Sequence, residues 1–150
     1  MRHLLILALC VVPKFSAPEV RELSAPETRD RIVLKAQPAT RVIADASNAT
    51  RTDLSVSEAE QNQILIMERN GRYYWQSRAG PGEDRELTHV VSGAYHFFID
   101  VRGGGYVKVV DQRKLSPGFT STGPDIQYLE HITNGLMTLT YWGNSDRFEP

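Results

Sequence analysis

The sequence predicts an α+β fold: an antiparallel β-meander of about five strands with one C-terminal helix packed on one face, preceded by a signal peptide and a largely disordered lead. Three observations point there. Asn70-Gly71 and Ser92-Gly93 each separate short runs rich in aromatic and β-branched residues, which is how hairpins are written. Twelve of the thirteen aromatic residues lie between Tyr73 and Phe148, so the core belongs to the second half of the chain. Near the end, Asp125 and Gly135 bracket Ile126, Leu129 and Ile132 at helical spacing, with the aspartate as N-cap and the glycine as stop. The expected divisions are residues 1–17 as signal peptide, 18–53 as a flexible low-complexity lead and 54–150 as the α+β domain.

The chain opens with Met1, Arg2 and His3, then runs apolar from Leu4 to Val12 before Pro13 and Lys14. A basic start followed by a short apolar run is the plan of an export signal, and the run falls well below the roughly 18–20 residues that a membrane-spanning helix needs. The expected location is therefore periplasmic or secreted, with no stable membrane span after processing. Ser16-Ala17-Pro18-Glu19-Val20-Arg21 recurs as Ser24-Ala25-Pro26-Glu27-Thr28-Arg29, with little to bury, and reads as a tether. Residues 31–53 continue in Ala, Thr, Asp and Arg with two short apolar groups and are expected to be mostly unstructured. Asn48-Ala49-Thr50 in this stretch is a glycosylation sequon, relevant only in a eukaryotic secretory pathway. Ser55 and Glu58 have capping-box spacing, which predicts one or two helical turns from Val56 to about Gln61.

The domain proper begins with a hairpin. Ile64 to Glu68 and Arg72 to Ser77 flank Asn70-Gly71, and setting Arg69 opposite Arg72 puts Ile66 against Trp75 and Glu68 against Tyr73. After a Gly/Pro loop, Glu86 to Val91 and Ala94 to Arg102 form a second hairpin around Ser92-Gly93, which sets His89 directly opposite His96. Tyr95, Phe97, Ile99 and Val101 alternate with His96, Phe98, Asp100 and Arg102, which gives one apolar face and one mixed face. With Gly103, Gly104 and Gly105 all in the next turn, Asp100 falls opposite Lys108. Met137 to Trp142 has strand character and is expected to return to the sheet.

The chemistry this composition excludes is clearer than the chemistry it implies. Seventeen basic against eighteen acidic residues, a formal charge of −1, argue against a nucleic-acid partner, because phosphate neutralisation needs a cationic surplus. One cysteine, Cys10, excludes both a disulfide framework within the chain and a thiolate-rich zinc site. No glycine loop, serine elbow or other signature calls for a cofactor. Two constellations remain. Tyr73 and Trp75, among Arg72 and Arg78, could stack on sugar rings while the guanidinium groups hold anions, or could simply be core. His89 and His96 have cross-strand spacing for a shared metal, although a third ligand is not evident nearby. The expected function is a small exported, non-enzymatic binding or interaction protein of unknown ligand, with envelope glycan or another exported protein as partner. The alternative is a small hydrolase or metal-dependent enzyme using His89, His96 and His131 with Glu130 or Asp100.

Overall fold

The computed structural model describes residues 30–76, 84–115 and 123–150. Nine strands follow in chain order: β1 (Arg31–Ala44), β2 (Ala49–Asp53), β3 (Ile64–Arg69), β4 (Arg72–Trp75), β5 (Arg85–Ser92), β6 (Tyr95–Asp100), β7 (Gly105–Asp111), β8 (Ile126–Asn134) and β9 (Met137–Phe148). From β3 onward each strand pairs antiparallel with the next, and β1 pairs with β3 on one edge and β9 on the other, so eight strands close into a barrel. The ninth, β2, lies outside the ring against Thr40–Ala44 of β1. The α+β expectation is thus overturned: besides a 3-10 turn at Gln112–Lys114, the described residues contain one six-residue helix, α1 (Val56–Gln61). That helix starts on the capping box expected of Ser55 and Glu58, with both reciprocal hydrogen bonds present. None of the helices among the described residues is long and apolar enough to cross a membrane.

Three particular expectations fail for identifiable reasons. The C-terminal helix is instead β8, hydrogen-bonded on both edges, with Ile126, Tyr128 and Glu130 turned inward and Gln127, Leu129 and His131 outward. A spacing of three carries Ile126 and Leu129 to opposite faces of a strand, and the β-favouring Ile, Tyr and Thr residues win once two neighbouring strands are available. Gly135, φ 62°, belongs to the β8–β9 hairpin turn rather than to a helix end. The lead fails over residues 30–53, which form β1 and β2; its first part and the signal segment, residues 1–29, lie outside the described residues. An isolated β1 would have little reason to be ordered, but here its 14 residues carry the closing seam of the barrel.

That seam explains two breakers in strand sequence. Pro38 sits where the β1–β9 register slips between Pro38 and Thr40, and its partner is Gly143. A Cβ on Gly143 would run into the backbone of Gln37, Pro38 and Ala39, so the two strands close only because that position is glycine. Closure removes the open edges a meander of this length would otherwise expose.

The third correction concerns β6. Its buried side chains are His96, Phe98 and Asp100, at 3%, 0% and 3% exposure, whereas Tyr95 and Val101 are 38% and 73% exposed. The mixed face lies inside and the apolar face outside. Gly105 is the first residue of β7, opposite Asp100, so Lys108 meets Phe97 instead of Asp100 and packs over the Tyr95 ring. An odd slip in register exchanges every side chain between faces. The interior is completed by Val33, Leu34, Ile64, Ile66, Trp75, Leu87, Val107, Val109 and Phe148, each fully burying side chain of that size contributing about 1.5–3 kcal/mol.

Candidate functional site

The site is built on the β5–β6 hairpin. Its turn residues are Gly93 and Ala94, one position later than Ser92-Gly93 implies, and Gly93 takes φ 61° at the first turn position as a II′ turn demands. Ser92 consequently pairs with Tyr95, Val91 with His96 and His89 with Phe98. The displacement is even, so His89 and His96 stay on one face as diagonal rather than direct neighbours. His89 Nε2 and His96 Nδ1 are 3.1 Å apart. The ring planes differ by only 15° and the centroids are 5.3 Å apart, a separation filled by the hydrogen bond and one ring radius at each end. The two imidazoles therefore lie edge to edge in nearly one plane, their facing nitrogens at hydrogen-bond distance, and are not stacked on each other.

Aromatic rings sheathe this pair. Phe98 stacks on His89 at 4.4 Å and 5°, Tyr73 meets His89 edge-on at 4.7 Å, and Phe148, near the end of β9, meets His96 edge-on at 4.8 Å. The second nitrogen of His96, Nε2, is buried and has no hydrogen-bond partner among the described residues. Burial lowers the pKa of both histidines, and at His96 the neighbouring His89 and Lys114 lower it further while Asp111 opposes them. Both are thus neutral imidazoles at neutral pH. Asp111, 2% exposed, closes the same end of the barrel. Its carboxylate accepts from the Arg113 Nε at 2.8 Å and Nη2 at 3.0 Å, and the Arg113 guanidinium is the main reason its pKa is held down.

The other expected members of a catalytic cluster do not converge here. His131 faces outward from β8, 3.0 Å from the Thr140 hydroxyl and packed along the Tyr106 ring. Glu130 faces inward and is fully buried, level with Val107 and Tyr141. Asp100 lies four residues beyond His96 along β6, about 13 Å at a strand's rise, and is committed to the β6–β7 turn. Among the described residues no three His, Cys, Asp or Glu side chains gather as metal ligands.

The aromatic constellation is divided by the strand pleat. Trp75, 6% exposed, is part of the core, and Tyr73 packs against that core. Arg72 points to solvent on the opposite face, 3.4 Å from Glu86, and Arg78 lies outside the described residues. Tyr73 is brought instead to His89, a contact that sequence spacing does not reveal. Arg85, rather than Arg72, approaches Trp75, with its guanidinium 5.7 Å from the ring and 3.3 Å from Asp100. Arg85 and Asp100 border an open depression of about 720 Å³ that also involves Tyr74, Asp84, Glu86 and Arg102, a surface of mixed charge at the barrel end away from His96.

Phe148 and Asp111 carry no sequence signal for their part in the site. They reach it through barrel closure, which brings the ends of β7 and β9 around the start of β6. Comparison with protein-family models, curated proteins and solved structures gives no match.

Proposed function

We propose that the protein is an exported, non-enzymatic binding protein that holds a small ligand at the imidazole pair inside its barrel. One observation carries this: His96 presents a buried ring nitrogen with no hydrogen-bond partner among the described residues, inside a sheath of aromatic rings. A buried polar atom left unmade costs about 1–3 kcal/mol, a cost that a bound group can recover. An eight-stranded barrel has an interior of the size that side chains fill or one small ligand occupies, which favours a small guest over a polymer. Export rests on the basic start and apolar run from Leu4 to Val12. The enzymatic alternative needs three of His89, His96, His131, Glu130 and Asp100 to act together, and their separation in the barrel favours binding.

Thermal unfolding of the full chain in the presence of separate probes tests the proposal. The probes are Cu(I), Zn(II), Ni(II), acetate, benzoate and imidazole, each compared between the parent chain and His96→Phe. At least one probe should raise the melting temperature of the parent by several degrees through preferential binding to the folded state, and leave His96→Phe unmoved. Equal responses to every probe would overturn a binding role for the pair.

A further inference from the structure

We infer that the outward face of β6, β7 and β8 is a docking surface for an anionic lipid bilayer, on which the barrel sits peripherally with Lys108 at the headgroups and the apolar side chains around it entering the interface. The composition, charge and shape of this face carry the inference, which does not depend on the ligand site inside the barrel.

Residues 95–99, 106–110 and 127–131 lie side by side in the three strands, and their alternate side chains point out of the barrel. Six of those nine outward positions hold Tyr95, Phe97, Ile99, Tyr106, Val110 and Leu129. Tyr95 is 38% exposed, and the apolar surface continues over Val90, 45% exposed, the cross-strand partner of Phe97. Contiguous apolar surface of this kind marks a contact with a protein or a membrane. The opposite wall is built differently. β3 stands four strands from β7 either way round the ring, and on that side Arg31 meets Glu68 at 2.8 Å, Arg69 meets Asp30 at 2.6 Å and Arg72 meets Glu86 at 3.4 Å.

Lys108 is at the centre of the face, between Phe97 and Leu129, and no aspartate or glutamate holds an outward position on these three strands. Among the described residues Lys108 forms no ion pair; its ammonium stands 4.8 Å from the centre of the Tyr95 ring and 5.9 Å from that of Phe97. A cation ringed by apolar side chains is complemented by a surface that is anionic at one depth and apolar just beneath, as a bilayer with acidic headgroups is. Tyrosines with a polar tip and a lysine with an apolar stem suit that boundary. A sugar or a base would need open ring faces to stack on, but Lys108 covers those of Tyr95 and Phe97, and His131 lies along Tyr106 at 5.3 Å. A second copy of the chain fits poorly too. Three strands about 4.8 Å apart and five residues of about 3.3 Å rise present on the order of 300 Å², against about 800 Å² per partner in a stable dimer. A two-fold axis through the centre would also set Lys108 against Lys108. The wall of a barrel is convex, so a rigid partner touches it along a stripe, whereas a fluid bilayer closes around it.

Co-sedimentation of the full chain with vesicles of phosphatidylglycerol and phosphatidylcholine, and with vesicles of phosphatidylcholine alone, measures the binding. It should be tighter on the acidic vesicles and weaken with added salt. Lys108→Gln should lower partition onto the acidic vesicles about 5-fold and leave the neutral ones unaffected, while Lys35→Gln, on the exposed side of β1, changes it by less than about 2-fold. Brominated acyl chains, which quench tryptophan on contact, then locate the docked face. The emission added by Tyr95→Trp should be quenched and that added by Met67→Trp, on β3, should not, with the emission of Trp75 and Trp142 subtracted as background. Equal partition onto both kinds of vesicle, an unaltered Lys108→Gln or equal quenching at the two positions would each overturn the assignment. Attachment through the Leu4 to Val12 run alone would leave Tyr95→Trp unquenched, and a dimer that ignores vesicles would give the face to a second copy; either result overturns it as well. If Lys108→Gln loses its β-sheet circular dichroism, the quenching pair decides, since both reporters keep Lys108.

Discussion

Replacing Asp100 tests whether the inward face of β6 is set by the β6–β7 turn. Asp100 Oδ1 accepts from the amides of Arg102 at 3.0 Å and Gly103 at 2.7 Å, and Oδ2 accepts from Arg85 Nη1 at 3.3 Å. Hydrogen bonds to a charged group contribute about 1.5–3 kcal/mol each, but Arg102 and Gly103 are exposed and water replaces part of what their amides lose. Arg85 is half-exposed, so its contact is discounted further. Asp100→Ala should therefore cost about 2–3 kcal/mol, and Asp100→Asn, which keeps an acceptor for the two amides, about 1 kcal/mol. Burial alone would raise the carboxyl pKa, but the Gly103 and Arg102 amides and the Arg85 guanidinium outweigh it and bring the value below the ordinary 3.8. The folded pKa is thus below the unfolded one, so the stabilisation is fully present above about pH 4 and is lost as pH falls through the folded value. Urea unfolding followed by tryptophan fluorescence at about pH 7, 5 and 3 should show a gap between parent and Asp100→Asn that is constant over the first two and narrows at the last. Equal stability of Asp100→Ala and parent at neutral pH, or a gap that ignores acid, would refute the role given to this turn.

Further outcomes follow from the same structure. Gly143→Ala should lower the melting temperature more than Gly135→Ala, because a methyl group at the first position meets the backbone of β1 while the second meets open space and only its φ of 62° is strained; similar losses would place the barrel seam elsewhere. Gly71→Val should cost about 1–3 kcal/mol in urea unfolding, since φ 74° is hostile to a β-branched residue although nothing crowds it, and an unchanged midpoint would refute the turn assignment. Trp75→Ala should cost about 3–5 kcal/mol as a core deletion, read by circular dichroism and urea titration; a folded variant of parent stability would return Trp75 to the surface. Intact mass of the exported product should lack Leu4 to Val12, and recovery with Met1 retained would refute export.

The sequence by itself determined the features that short-range stereochemistry controls. Asn70-Gly71 adopts φ 55° and 74° and delivers the β3–β4 register expected of it, Ile66 to Trp75 and Glu68 to Tyr73, because two positive dihedrals in succession admit few other residue pairs. Ser55 and Glu58 start α1 at the expected place for an equally local reason. The same sequence put His89 and His96 on one face, since an error of two positions in a strand preserves the face. Tertiary structure decided what depends on partners far along the chain. Residues 31–44 became β1 only because β3 and β9 supply both edges, and residues 126–134 became β8 because β7 and β9 do the same. Barrel closure also chose which face of β6 lies inside, burying His96 and Asp100 where hydrophobicity favoured Tyr95 and Ile99. Polar side chains can occupy an interior when the turn amides, an arginine or a second imidazole meet them, and those partners come from other strands and turns whose placement no single segment encodes.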